Sequence, residues 1–258
     1  MSPQWAFAAS AAVGVLGGMI GLGGAEFRLP LLIGLFGFVA LQAVVVNKAL
    51  SLVVVLSALP ARFVAVPPEA VLEHAFVAAN LLAGSLLGAW LGATWATRMR
   101  TRTLYRVLAV LLAFIAVVLL ATHLGQVRPV EVTGVAQWVA GALAGIGIGV
   151  VAALMGVAGG ELLIPTIVLL FGTDIKVAGS LALVVSLPTM LVAFARYSQD
   201  QSFAVLAAHR KFLAWAAAGS VAGVLVGGLL LRWAPEAVLV PLLGALLVFS
   251  SVKVWRHA

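Results

Sequence analysis

Cysteine is absent from the sequence. No disulfide, thiolate metal site or thiol relay can be built from it. Charge is scarce as well. Only 9% of the 258 residues are Asp, Glu, Lys or Arg, against about 25% in a soluble domain. No Gly-Lys-Ser/Thr closes a phosphate loop after the Gly21-Leu22-Gly23-Gly24 stretch, and no ATP-binding motif is found elsewhere. His74, His123, His209 and His257 are scattered, without metal-ligand spacing. None is embedded with a serine or threonine as a nucleophile's base. These absences speak against an enzyme and leave no cofactor to expect. No Lys or Arg precedes the first apolar run, so it lacks the basic start of a secretory leader and is kept as structure.

What fills the chain is apolar. Hydrophobic residues make up 64% of it. The charge-free runs 75–97, 132–160 and 212–231 reach or pass the roughly 20 residues that span a bilayer. They do not alternate in polarity, so a membrane β-barrel is excluded. The sequence predicts an all-α polytopic membrane protein whose first partner is the lipid bilayer. The formal charge of +7 would suggest nucleic acid in a soluble protein. Here the basic residues gather at predicted helix ends, so topology accounts for them and no nucleic-acid partner is expected.

One stretch occurs twice. Gly21-Leu22-Gly23-Gly24-Ala25-Glu26-Phe27-Arg28-Leu29-Pro30 returns 135 residues later as Gly156-Val157-Ala158-Gly159-Gly160-Glu161-Leu162-Leu163-Ile164-Pro165. Glycines, a glutamate and a proline recur in register. Apolar segments are predicted at 4–20, 26–38, 41–61, 73–97 and 104–124, then again at 137–155, 161–171, 177–197, 204–231 and 235–254. Gly84-Ser85, Gly88 and Gly92 match Gly219-Ser220, Gly223 and Gly227 at the same offset. These glycines form small-xxx-small stripes that suit close helix packing. Asn47 pairs with Ser180 at an offset of 133. Residues 1–125 are thus read as a first membrane repeat and 126–258 as a second, together forming one transmembrane domain. Internal duplication of this length marks secondary transporters.

Orientation follows from Lys and Arg in short loops. Arg98, Arg100, Arg102 and Arg106 form the strongest basic turn. Arg196, Arg210, Lys211, Lys253 and Arg256 fit the same side. Arg62, Arg128, Lys176 and Arg232 fall opposite, diluted by Glu69, Glu73, Glu131, Asp174 and Glu236. Both termini are then cytoplasmic, and the two repeats are inverted. Five crossings per half satisfy this. So do three spanning helices plus a re-entrant hairpin made from the Gly-broken pair, which the shortness of 26–38 and 161–171 favours. An eight-span chain with parallel repeats would put the middle loop inside.

Four charges lie in apolar surroundings: Glu26, Arg28, Lys48 and Glu161. Such residues line cavities or pair with one another. Two readings stand. In one, they form structural ion pairs at the breaks. In the other, they build a substrate site. Helix N-termini present free amides and partial positive charge, and Gly23, Gly24, Gly159 and Gly160 let the backbone approach a ligand. Arg28 and Lys48 add cationic donors, and Asn47 and Ser180 add neutral ones. This set suits a small oxyanion. Glu26 and Glu161 oppose an anion unless a proton intervenes, so they are the candidates for proton coupling. Helix capping is their plainer role. Arg28 and Lys48 have no cationic counterparts, since Leu163 and Leu181 stand at the matching positions.

Residues 21–30 with Leu31-Leu32, residues 156–165, and Val177-Ala178-Gly179-Ser180-Leu181 resemble the sulfite exporter TauE/SafE family of membrane transporters. Asn47-Lys48 resembles the matching first-repeat position, and the resemblance covers essentially the whole chain. The family's motif often has a third glycine where Ala25 stands, and the glutamates depart from its commonest apolar pattern. The resemblance implies transport of sulfite, sulfonates such as sulfoacetate, or related organic anions across the bacterial inner membrane. The expectation is therefore a secondary transporter exporting a small sulfur-containing oxyanion by alternating access, with protons as a coupling partner. A passive anion channel, a carrier of another small organic anion, or a cation transporter built on the glutamates are the rivals, and Arg28 and Lys48 oppose the last. A homodimer is compatible with the sequence.

Overall fold

The structure is a computed structural model describing residues 3–20, 23–65, 68–124, 133–230 and 236–257. Gly21 and Leu22 of the first break, Pro67, the middle-loop residues Arg128, Pro129 and Glu131, and Arg232 lie outside the described residues. Every regular element among the described residues is helical. The first half holds α1 (Pro3–Ile20), α2 (Ala25–Gly34), α3 (Ala40–Ala65), α4 (Pro68–Glu73), α5 (Ala75–Arg98) and α6 (Thr101–Leu124). The second holds α7 (Val135–Met155), α8 (Gly160–Phe171), α9 (Ile175–Tyr197), a 3-10 turn (Gln201–Phe203), α10 (Ala204–Ala208), α11 (Arg210–Leu230) and α12 (Glu236–Trp255).

Among the described residues, six helices are long and apolar enough to cross a membrane: the Ala40–Ala58 part of α3, α5, Thr101–Ala121 of α6, α7, α9 and α11. Trp5, Trp90, Trp95, Trp138 and Trp215 are exposed, along with many Leu, Val and Phe side chains. In water such a surface would aggregate; in lipid it is the expected exterior. The chain is a multi-pass membrane protein. α3 runs past Pro60 to Ala65, where 41–61 is the sequence expectation. Prolines are tolerated in membrane helices because neighbouring groups satisfy the freed backbone. The expected segment 204–231 is divided at His209 into α10 and α11.

The Gly-broken pair is unequal. α1 and α7 have 18 and 21 residues. α2 and α8 have 10 and 12, which at about 1.5 Å per residue is roughly half the hydrocarbon core. Each short helix folds back along its predecessor. A Cβ at Gly24 would lie 2.6 Å from the Val13 carbonyl oxygen, and one at Gly17 would strike Gly24. A Cβ at Gly159 would lie 3.2 Å from Ala152 Cβ and 3.3 Å from Ile148 Cγ2. Shifting Val13, Gly17 and Gly24 by 135 positions gives Ile148, Ala152 and Gly159, so the two bends share one geometry.

The halves interlock through the glycine stripes. Gly84, Gly88 and Gly92 of α5 lie against the carbonyls of Ala142, Ile146 and Val150 in α7. Gly219, Gly223 and Gly227 of α11 lie against those of Phe7, Ala11 and Val15 in α1. The same 135-residue shift turns one set of partners into the other. Both pairs run parallel, and each half lends its first helix to the other's stripe. Apolar burial gives no preference for helix over lipid, so close backbone contact supplies the adhesion. Alanine at Gly88 or Gly223 is expected to destabilise the protein by about 1–3 kcal/mol through overpacking, read as a lowered Tm in detergent. Alanine at Gly147 or Gly228, where an added Cβ meets nothing within 4 Å, is expected to leave Tm unchanged or raised. Equal losses at all four sites would contradict the stripe as the contact.

Candidate substrate site

The site begins with two glycines in the left-handed region. Gly24 (φ 71°) caps α2 and Gly159 (φ 87°) caps α8. A residue with a Cβ is strained there. Neither helix start receives a side-chain cap, so first-turn amides remain available at both. Glu26 and Glu161 each occupy the second helical position. Pro30 and Pro165 follow four residues later. A proline has no N–H, so neither can complete the helical bond to its glutamate's backbone carbonyl. The recurring Gly-x-Glu-x-x-x-Pro spacing thus writes a loosened first turn into both halves.

Glu26, Arg28, Asn47 and Lys48 are all at least 98% buried, and Glu161 is 8% exposed. Arg28 spends its guanidinium on three neutral acceptors. Nε donates to Asn47 Oδ1 (2.9 Å), Nη1 to Ser220 Oγ (2.9 Å) and Nη2 to Ser51 Oγ (2.8 Å). This fan ties α2 to α3 and to α11 of the other half. Asn47 Nδ2 in turn donates to the carbonyls of Ala25 (2.9 Å) and Met155 (3.0 Å), one at each break.

Lys48 serves the second break. α7 ends in a left-handed Gly156, with the Val157 amide donating to Ala152 O (3.1 Å) and the Gly156 amide to Ala153 O (3.1 Å). This is a Schellman closure. Lys48 Nζ donates to Ala152 O (2.8 Å) and Val157 O (2.6 Å). Ser51 Oγ donates to Gly156 O (3.2 Å), and Tyr197 Oη to Ala153 O (2.9 Å). A cation at a helix C-terminus is favoured by the macrodipole. α3 of the first half therefore caps α7 of the second with three side chains. A side chain at Gly156 would strike the Val44 carbonyl of α3, so only glycine permits this approach.

The glutamates are treated differently. Among the described residues no side-chain donor reaches any of their four oxygens, all sealed from solvent. Each carboxyl instead faces the other, within direct interaction range across the boundary between halves. Arg28 acts on Glu26, and Lys48 on Glu161, through space.

The structure thus gathers Gly24, Glu26, Arg28, Asn47, Lys48, Gly159, Gly160 and Glu161 around the two breaks, with Gly23 entering the first. Ser180 is buried, and its hydroxyl donates to Lys176 O of its own helix (3.4 Å). Ser51, Ser220 and Tyr197 belong to the network without having been singled out as ligands. Ser220 had a signal in the recurring Gly-Ser pair. Its counterpart Ser85 contacts Thr189 Oγ1 (2.7 Å) instead, so equivalent serines serve a cation in one half and a neutral hydroxyl in the other. An apolar crevice of about 390 Å³ beside α8, lined by Phe114, Ile148, Leu162 and Pro165 among others, contains no charged residue and is not suited to an anion.

No curated protein and no solved structure matches the chain. A family model described as Sulfite exporter TauE/SafE matches residues 6–254, nearly its full length. With two uncapped helix starts converging on a buried set of two cations and two carboxyls, and with that match, the chain belongs to the TauE/SafE family of membrane sulfite exporters.

Proposed function

We propose that the protein is a secondary transporter exporting a small sulfur-containing oxyanion or sulfonate, such as sulfite or sulfoacetate, by alternating access. One observation carries this reading: both broken helices direct uncapped N-termini at a single buried cluster where the halves meet. Helix N-termini and cations are the elements that hold oxyanions. The anion sits among the first-turn amides of α2 and α8, at Gly24, Gly159 and Gly160, in the field of Arg28 and Lys48. Residues 1–125 and 126–258 act as inverted repeats around it. Support for the inversion comes from the contacts at the basic end, where α6 begins and its counterpart α12 ends. There Arg196 Nε donates to Thr94 Oγ1 (2.9 Å) and Arg106 lies 5.8 Å from the Trp255 ring. That end faces the cytoplasm of a cell with an inner membrane, both termini included. Sealed carboxyl oxygens favour a carrier over an open channel. An inside-negative potential drives anion export by about 2.3 kcal/mol per charge per 100 mV, so export needs no nucleotide.

The test is flux from proteoliposomes loaded with sulfite, sulfoacetate, sulfate or acetate, at several pH values and potentials. Saturable efflux of a sulfur oxyanion, with acetate moving much more slowly, is the expected result. Absence of saturable, sulfur-selective flux would remove the reading.

A further inference from the structure

We propose that Glu26 and Glu161 hold one proton between them, and that this proton makes the cluster a site for a monovalent oxyanion rather than a divalent one. The inference rests on the transport reading above and narrows it: hydrogensulfite is a monoanion and fits, whereas sulfoacetate, a dianion at neutral pH, does not.

Two ionised carboxylates are acceptors only. Facing each other with no donor from the rest of the described residues, they repel. One proton between them supplies the missing donor and forms a short, charge-assisted bond. Solvent cannot supply it, because all four oxygens are sealed.

The charge count then fixes the substrate. Arg28 and Lys48 are the cations that act on the pair, from α2 and α3. α1 and α7 carry no charged residue. Lys253 of α12 lies against Gly34, at the far end of α2. Tyr197 of α9 is neutral and held by Ala153 O. Ser220, the contribution of α11, is uncharged. The cations of α6 and α9 stand at helix ends: Arg106 lies over Trp255, Arg196 donates to Thr94 and Thr97, and Lys176 sits in the first turn of α9 beside Asp174; α8 carries no charged residue besides Glu161. With both carboxylates ionised the cluster sums to zero. With one shared proton it carries one positive charge, which a monoanion neutralises. A dianion would leave a net negative charge in a sealed interior, at high cost. Proton and monoanion therefore bind together at the cluster.

The test uses probes of fixed charge in proteoliposomes with equal pH on both sides: methanesulfonate, a monoanion, and sulfate, a dianion. For the native protein, KM for methanesulfonate is expected to rise with pH, approaching about tenfold per unit, the limit for one linked proton. Methanesulfonate is preferred over sulfate by at least about tenfold, the order expected for one uncompensated charge. Glu26→Gln and Glu161→Gln each replace the shared proton with a permanent amide donor. In either variant the monoanion preference stays and the pH slope of KM vanishes. The double variant carries two net positive charges and is expected to shift preference toward sulfate by about tenfold or more. A pH-independent KM in the native protein overturns the proposal without any variant. So does a native pH slope in either single variant, or an unchanged monoanion preference in the double. Sulfur-anion flux that is present but pH-independent defeats only this inference, whereas no such flux for any anion defeats the transport reading itself.

Discussion

Replacing Arg28 with leucine is expected to lower the stability of the folded protein by about 3–5 kcal/mol, the range for breaking a buried charged network by removing one partner. The guanidinium is 2% exposed and donates to Asn47, Ser51 and Ser220. Leucine leaves three buried oxygens without those donors and Glu26 without its nearest cation. α11 of the second half loses its side-chain tie to α2, and α3 keeps only the Asn47 Nδ2 bond to Ala25 O. Lysine at the same position keeps the charge but cannot reproduce the planar three-way fan, so an intermediate loss is expected. Detergent-solubilised protein followed by thermal or denaturant unfolding reads both. A leucine variant within about 0.5 kcal/mol of the native protein, the range of an ordinary surface substitution, would show that the network is not structural.

The second large effect is expected at Lys48. Methionine fills similar space but donates nothing. Val157 O then loses its Nζ donor, while Ala152 O keeps the Gly156 and Val157 amides. A buried acceptor left unsatisfied costs about 1–3 kcal/mol. Transport suffers more than stability, because the cluster also loses one of two positive charges. KM for a monovalent sulfonate is expected to rise at least about tenfold. A Lys48→Met protein with lowered Tm but native KM would confine Lys48 to capping α7. Native values of both would leave it with neither role.

Much of this arrangement is legible in the sequence, and the reasons are physical. A charge inside an apolar run is conspicuous because lipid tolerates it poorly, so Glu26, Arg28, Lys48 and Glu161 stand out before any fold is known. The glycines at both breaks recur because helix starts in the left-handed region exclude a Cβ. The stripes at Gly84–Gly92 and Gly219–Gly227 recur because backbone contact is the adhesive available in lipid. What stays hidden is pairing across the halves. Nothing near Arg28 announces a partner at Ser220, 192 residues away. Nothing in α3 marks Lys48 as the cap of α7, because the carbonyls it serves are backbone groups and leave no trace in residue types. Ser180 illustrates the converse. Its alignment with Asn47 suggests a shared role, yet one substitution of serine for asparagine shortens the side chain, and the hydroxyl turns to its own helix. Sequence symmetry locates the breaks, and the departures from it, Arg28 against Leu163 and Lys48 against Leu181, give the site its positive charge.

The most direct test of the transport account is counterflow. Proteoliposomes are loaded with a high concentration of unlabelled sulfite and diluted into a trace of labelled sulfite, with the membrane potential clamped at zero. A carrier that alternates around one cluster exchanges inside for outside substrate, so labelled sulfite is predicted to rise transiently above its equilibrium level. Monotonic equilibration without an overshoot, as through an open pore, would contradict the account.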